Sequence, residues 1–332
     1  MPLTTEDLTK VRLAPSPLWE TVCSFGVFLR PDRHVVHAPW ASRTRAMLRG
    51  IDLSPLFAVM GVGGCCPDYL SPPPETPLAT FADELERLRA TPPEIVQREV
   101  SVLAQEQSGL LSRLPREKER MLRVQDDPEG SLKRLVDALD RYHELAISPY
   151  WLRVREHLEG DVLRRGRALA FGGAEMLLSG LDPRVGYRGG TLELDGPNDT
   201  VVETGGRGLT LVPCVFSWPG VFVLADPHFR PTLAYAPRGM ARLWSSSPPR
   251  PDGTTLGAAL GEGRASVLKG LLVPRTTTEL AGDLDRSPAA VSAHLSRLKA
   301  AGLVEPHRNG RRVFYRLSGA GEALLEVFGE TA

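Results

Sequence analysis

Apolar residues recur every three or four positions between residues 77 and 178. Phe81, Leu85 and Leu88 form one stripe. Ile95, Val96, Val100, Leu103 and Ala104 form another after the Pro92-Pro93 break, and Leu132, Leu135, Val136, Leu139 and Tyr142 a third. Leu152, Val154, Leu158, Val162 and Leu169 keep the same period less cleanly. This spacing predicts amphipathic helices that pack on a shared core. Nearer the start, residues 16–29 predict a helix opened by Ser16 with Pro17 in its first position, and residues 43–50 predict a second. The run Ser71-Pro72-Pro73-Pro74 breaks any element and reads as an extended connector.

The pattern changes after Val185. Residues 191–194, 200–203, 209–212, 221–225 and 232–235 are short β-rich runs separated by glycine, proline, Asn198 and Asp199. Short connections without intervening helices predict an antiparallel meander, and Gly205-Gly206-Arg207-Gly208 reads as a turn within it. Helices layered on such a sheet make an α+β fold. A Ser/Pro-rich stretch, 245–253, cannot build a core and marks a boundary. The predicted organisation is an N-terminal α+β domain (1–245), a linker (246–256) and a C-terminal winged helix-turn-helix domain (257–332).

The C-terminal reading rests on local detail. A first helix covers 264–272 and stops before Pro274. Thr276, with Glu279 three residues on, forms a capping box for a short second helix ending near Asp283-Leu284. Ser287 caps a third helix with Pro288 in its first position, running to about Ala300 and ending at Gly302. Val291, Leu295 and Leu298 share its buried face. Ala289, Ala293 and Ser296 lie opposite, flanked by Ser292 and Arg297. Small residues let a helix backbone approach a groove floor, while hydroxyls and arginine meet phosphates or base edges. Residues 303–305 and 312–317 read as strands joined through Arg308-Asn309-Gly310-Arg311, a basic hairpin wing.

The chain has 40 Lys+Arg against 40 Asp+Glu, so a nucleic-acid surface must come from local charge. It does. Arg286, Arg297, Lys299, Arg308, Arg311, Arg312 and Arg316 are opposed in that span by Glu305 alone. Candidate DNA-contacting residues are Thr277 on the second helix; Ser287, Ala289, Ala290, Ser292, Ala293, His294, Ser296, Arg297 and Lys299 on the third; and Arg308, Asn309, Arg311, Arg312 and Tyr315 on the wing.

The segments 277–281, 287–298 and 301–304, with the wing 308–316, resemble the ArsR family of winged-helix repressors over roughly the last 75 residues. The N-terminal segments Ser16-Pro17-Leu18-Trp19-Glu20, 215–219 and 231–235 resemble the larger actinobacterial type within that family. The resemblance implies a homodimeric repressor on a palindromic operator. It places Ser287, Ala289, Ser292 and His294 toward DNA or its phosphates, and Arg311 and Arg312 at the minor groove or backbone. Metal-sensing members carry paired cysteines in the second helix. Residues 277–284 here hold neither cysteine nor histidine, so metal sensing there is disfavoured.

Other chemistry is sparse. Cys23, Cys65, Cys66 and Cys214 match no zinc module, and free thiols are expected, with oxidation or arsenite binding at Cys65-Cys66 as a rival reading. The run Gly61–Gly64 lacks the Lys-Ser/Thr ending of a phosphate loop. His34 with His37, and His143 with His157, complete no metal-ligand set. Trp218, Phe222, His228, Phe229, Tyr235 and Trp244 suit a sheet core or dimer interface better than a ligand pocket. No nucleophile–base pair stands out, so no enzyme activity, cofactor or metal is expected. No signal-peptide pattern or long apolar run is present, which predicts a cytoplasmic protein without membrane contact. The expected function is a DNA-binding transcription regulator whose N-terminal domain dimerises and senses an effector. The alternative is a DNA-binding protein whose N-terminal domain is a protein-interaction module or an enzyme.

Overall fold

The computed structural model describes residues 1–60, 66–195, 202–224, 226, 228–244, 255–309 and 312–328, the side chains of Arg242 and Asn309 excepted. The glycine run 61–64, Cys65, Asn198, Asp199, the stretch 245–253, Gly310 and Arg311 lie outside the described residues. The chain forms two compact units, Met1–Trp244 and Ser245–Ala332. The architecture is α+β, with most of the first unit helical and a second unit of helices and a three-stranded sheet.

In the first unit, α1 (Thr5–Thr9) and β1 (Arg12–Leu13) precede α2 (Pro17–Leu29), α3 (Ala38–Met47) and α4 (Ser54–Val59). Then come α5 (Phe81–Arg89), α6 (Pro93–Glu106), α7 (Ser108–Leu111), α8 (Pro115–Asp126), α9 (Pro128–Ala146) and α10 (Trp151–Leu178). The predicted start of α2 is present: Ser16 Oγ accepts the Trp19 amide at 3.0 Å, and Pro17 opens the helix. Helix α3 begins earlier than expected, because Pro39 fits the first turn, where its missing N–H costs nothing. The stripes of α5, α6 and α9 are buried: Leu88, Val96, Val100, Val136 and Tyr142 are all fully enclosed in one core with Leu18, Phe25 and Trp40.

Strands β2 (Val185–Arg188) and β3 (Thr191–Leu194) make a separate antiparallel hairpin. A four-stranded sheet has the order β1, β4 (Thr210–Pro213), β6 (Thr232–Tyr235), β5 (Phe222–Leu224). Strand β5 runs antiparallel to β6, as a meander requires, but β1–β4 and β4–β6 are parallel. The sheet is therefore mixed. The segment after β4 forms a short 3-10 turn (Val215–Ser217) and carries the chain past one strand position, so β5 lands on the far edge. Every residue of β4 and β6 is buried, the environment in which strands read as continuous apolar runs and give no clue to direction. Residues 202–203, at the end of a predicted strand, are not in one.

The predicted aromatic group divides. Trp244 joins Trp40, Phe216 and His37 in the helical core, its indole donating to His37 Nδ1 at 2.9 Å. Burial pushes His37 down to about 3, which keeps the ring neutral and able to accept that bond. Tyr235 donates to buried Asp161 at 2.7 Å, while Phe222 is 38% exposed. Among the described residues Cys23, Cys66 and Cys214 form no disulfide with one another. Cys214 is fully buried, which raises its pKa and makes it a poor nucleophile. Among the described residues no group of three or more His, Cys, Asp or Glu side chains could hold a metal, and no helix is long and apolar enough to cross a membrane.

Three buried carboxylates tie helices to loops. Glu20 accepts the Val215 and Phe216 amides at 2.6 and 3.0 Å. Glu84 accepts Ser16 Oγ and the Leu18 amide at 2.8 and 2.9 Å, and Glu99 accepts the Tyr69 amide at 2.8 Å. Burial outweighs these hydrogen bonds and pushes each carboxyl up to about 7. A folded-state pKa above the unfolded value stabilises fully below about 4.5 and loses that contribution as pH rises through about 7. Neutral buried His37 and His143, the latter at about 4, act in the opposite sense below the ordinary histidine value of 6.5. Substitution isolates the carboxylate contribution. Wild type minus Glu20→Gln in unfolding free energy should decline from pH 4.5 to 7 in denaturant titrations. A difference that does not vary with pH would show that Glu20 does not titrate upward in the fold.

Candidate nucleic-acid interface

The second unit opens with α11 (Leu256–Leu260) and α12 (Glu262–Lys269), followed by β7 (Arg275–Thr276), α13 (Thr277–Asp283) and α14 (Pro288–Ala300). Strands β8 (Val304–Asn309) and β9 (Arg312–Leu317) and helix α15 (Gly319–Val327) complete it. The sheet order is β7-β9-β8, all antiparallel, so the hairpin is anchored by a short strand that leads directly into α13. Leu256, Leu268, Leu280, Val291, Leu295, Leu298, Val304 and Leu325 fill a separate core.

Local chemistry sets the helix–turn–helix. Thr276 Oγ1 accepts the Glu279 amide at 3.3 Å, and Glu279 Oε2 accepts the Thr276 amide at 2.9 Å, the predicted capping box. Helix α13 ends with Arg286 N–H donating to Ala281 at 3.0 Å, across Asp285 in the left-handed region at φ 48°. Ser287 Oγ then accepts the Ala290 amide at 3.2 Å and starts α14. That helix closes on Gly302 (φ 72°): Leu303 N–H reaches Leu298 and Gly302 N–H reaches Lys299, each at 2.9 Å. This double closure needs a left-handed residue, for which glycine carries no Cβ penalty.

With Val291, Leu295 and Leu298 buried, α14 presents Ala289, Ser292, Ala293, Ser296, Arg297 and Lys299 outward, with Ser287 exposed at its N-terminus. Among the described residues Arg286, Arg297 and Lys299 have no carboxylate partner, so their charge is available to a ligand. Arg308 and Arg312 are exposed on the wing. Arg312 stands over the Phe314 ring at 5.4 Å and donates to Glu279 Oε1 at 2.8 Å. The same carboxylate therefore caps α13 and holds the wing strand, and these contacts keep its pKa below the ordinary value. Arg316 pairs with Glu305 at 3.0 Å.

Other candidate residues are placed differently. His294 is half-buried against α12, where a Cβ added at Gly263 would meet its Nε2 at 2.5 Å. Burial first, then the charges of Arg286, Arg297 and Arg264, lower its pKa, and its Nδ1 has no partner among the described residues. Position 294 lies three after Val291 and four before Leu298, on the edge of the buried stripe; the spacing carried that signal. Ala290 and Thr277 are half-buried, and Tyr315 packs on the small core opposite Arg275. Asn309 pairs with Arg312 in the ladder, so Asn309 belongs to β8. Arg311 and the Asn309 side chain lie outside the described residues. Arg286 belongs to the basic span but not to the predicted DNA-facing set, although it sits exposed immediately before the α14 cap. Strand β7 and helix α11 were also missed, each too short for a periodic signal.

Thr276→Ala removes an N-cap whose loss costs about 1 kcal/mol. Amide exchange at Leu280 and Ala281 should quicken roughly fivefold if this cap governs local opening. Unchanged protection would show that packing alone holds α13.

Comparison with known families gives two matches. Residues 254–321 match the family of PaaX-like proteins. Residues 89–240 match a family of unknown function, DUF5937. No curated protein and no solved structure matches the chain. With the PaaX-like match and the capped helix pair, anchored hairpin and exposed α14 face, the C-terminal unit is a winged-helix domain of the DNA-binding, transcription-regulator type.

Proposed function

We propose that this protein is a sequence-specific, homodimeric transcription regulator of the ArsR type, acting as a cytoplasmic repressor on a palindromic operator. Helix α14 enters the major groove, and the wing grips the neighbouring backbone or minor groove. The observation that carries this reading is the outward face of α14: small side chains and hydroxyls, flanked by Arg286, Arg297 and Lys299, cations without a carboxylate partner among the described residues. Ser287, Ala289, Ser292, Ala293 and Ser296 meet the groove, and Lys299, Arg308, Arg311 and Arg312 meet phosphates. The resemblance to ArsR repressors supports the dimer and the repressor role. The size of the first unit supports an effector- or partner-sensing role, in which a ligand favours one spacing of the two readers.

The dimer reading has a structural support of its own. In a single copy α10 leaves Leu163 69% and Phe171 86% exposed before its break at Gly173, and Met176 53% exposed after it. Exposed large apolar side chains of this kind suit burial against a second chain. Phe171→Glu with Leu163→Glu should convert a dimer to a monomer in light scattering, with the fold retained by circular dichroism. A dimer that survives both changes would remove α10 from the interface.

DNA binding is tested on duplexes across a salt series. Removing one cation that neutralises a phosphate lowers the slope of log K against log salt by about 0.9. Lys299→Ala, which removes two such cations from the proposed dimer, should lower the slope by about 1.8, and Ala293→Glu, which sets a carboxylate against the groove floor, should abolish binding while leaving the fold intact. Unchanged affinity in Ala293→Glu would mean that α14 does not read DNA.

A further inference from the structure

A cleft of about 320 Å³ in the first unit lies where β1 meets the sheet, lined by Arg12, Thr210, Arg230, Phe229, His228 and the Pro73-Pro74 wall, with Arg87 and Glu75 at one side. The sheet register builds it. Arg12 on β1 pairs with Thr210 on β4, Thr210 pairs with Thr232 on β6, and Arg230 stands two residues before that strand position. Two guanidinium groups are thus brought to one concave spot. Burial, and the positive charge of Arg12, lower the pKa of Arg230.

The nearby carboxylates are already engaged. Glu75 is held by Arg87 at 3.2 Å, and Arg87 also donates to the Pro73 carbonyl at 2.9 Å. Asp226 is held by Arg98 at 2.9 Å and by His228 Nδ1 at 2.7 Å. Among the described residues neither Arg12 nor Arg230 has a carboxylate within ion-pair distance. Converging like charges destabilise a fold unless an anion lies between them. Phe229 and the two prolines add an apolar wall, and the volume lies at the small end of ligand sites.

We propose that this cleft binds a small molecule bearing an oxyanion group, carboxylate or phosphoryl, clamped between Arg12 and Arg230 with its apolar part against Phe229 and Pro73-Pro74. Arginine suits such a group because its planar fork donates in pairs to two oxygens. The ligand class deepens the effector reading of the first unit, and only its consequence for DNA rests on that reading.

The test contains no DNA, so its failure is separate from failure of the regulator reading. The full chain is melted with sodium phosphate, benzoate or phenyl phosphate, against sodium chloride at equal ionic strength. At tenfold excess over Kd, a bound anion should raise the Tm of the first unit by roughly 3–6 °C. A rise with benzoate or phenyl phosphate beyond that with inorganic phosphate assigns the site to an organic anion. An equal rise with inorganic phosphate assigns it to free phosphate through the same clamp. Arg12→Gln and Arg230→Gln should each lose the rise, and Arg230→Gln without anion should melt no lower than wild type, because the like-charge repulsion is gone. A rise reproduced by chloride, or retained in both variants, overturns the proposal.

Discussion

The C-terminal unit depends on the burial of one stripe, Val291, Leu295 and Leu298. These side chains pack α14 against α12, α13 and β8, and a Leu→Ala change in such a stripe costs about 2–5 kcal/mol. Once that stripe is inside, helical geometry leaves Ala289, Ser292, Ala293 and Ser296 no direction but outward. The reader face is therefore a consequence of the core. The turns at Asp285 and Gly302 end α13 and α14 sharply enough for the second helix and the wing to share one small core. Glu279 links the levels: one oxygen starts α13 and the other holds Arg312 of the wing. Cap, wing position and charge are coupled through a single carboxylate.

In the first unit, buried acids take the corresponding part. Glu20, Glu84 and Glu99 each hold backbone N–H groups of a segment distant in sequence, which satisfies donors that would otherwise be orphaned in the core. Asp7 does the same beside the sheet: it accepts from Thr4, Thr204 and the Gly208 amide, and these bonds outweigh burial and hold it well below the usual carboxylate range. Loops around the sheet are thereby fixed to helices, and the clefts between them keep defined walls. Helix α10 breaks its helical course at Gly173 (φ 65°).

Much of the reader was legible because its signals are local. Thr276 with Glu279, Ser287 with Pro288, and Gly302 act within one helical turn, so spacing alone finds them. What was missed is non-local or short. Two residues of β7 and two of β1 carry no period, and they exist only because β9 and β4 pair with them. Strand direction in β4 and β6 depends on how the 214–221 segment crosses, which alternation does not encode. His294 illustrates a different cause: family resemblance turned it toward DNA, whereas its spacing from Val291 and Leu298 places it on the inner edge. The Arg12–Arg230 cleft was invisible for the same non-local reason, since 218 positions of sequence separate two residues that the register brings abreast.

The central claim is that two copies of α14 read a defined sequence. The most direct measurement is repeated selection of duplexes bound by the full-length protein from a random-sequence pool. The account predicts enrichment of an inverted repeat whose half-sites lie about 10 base pairs apart, one helical turn centre to centre. A pool that stays random after selection, with retention governed by salt alone, would contradict it.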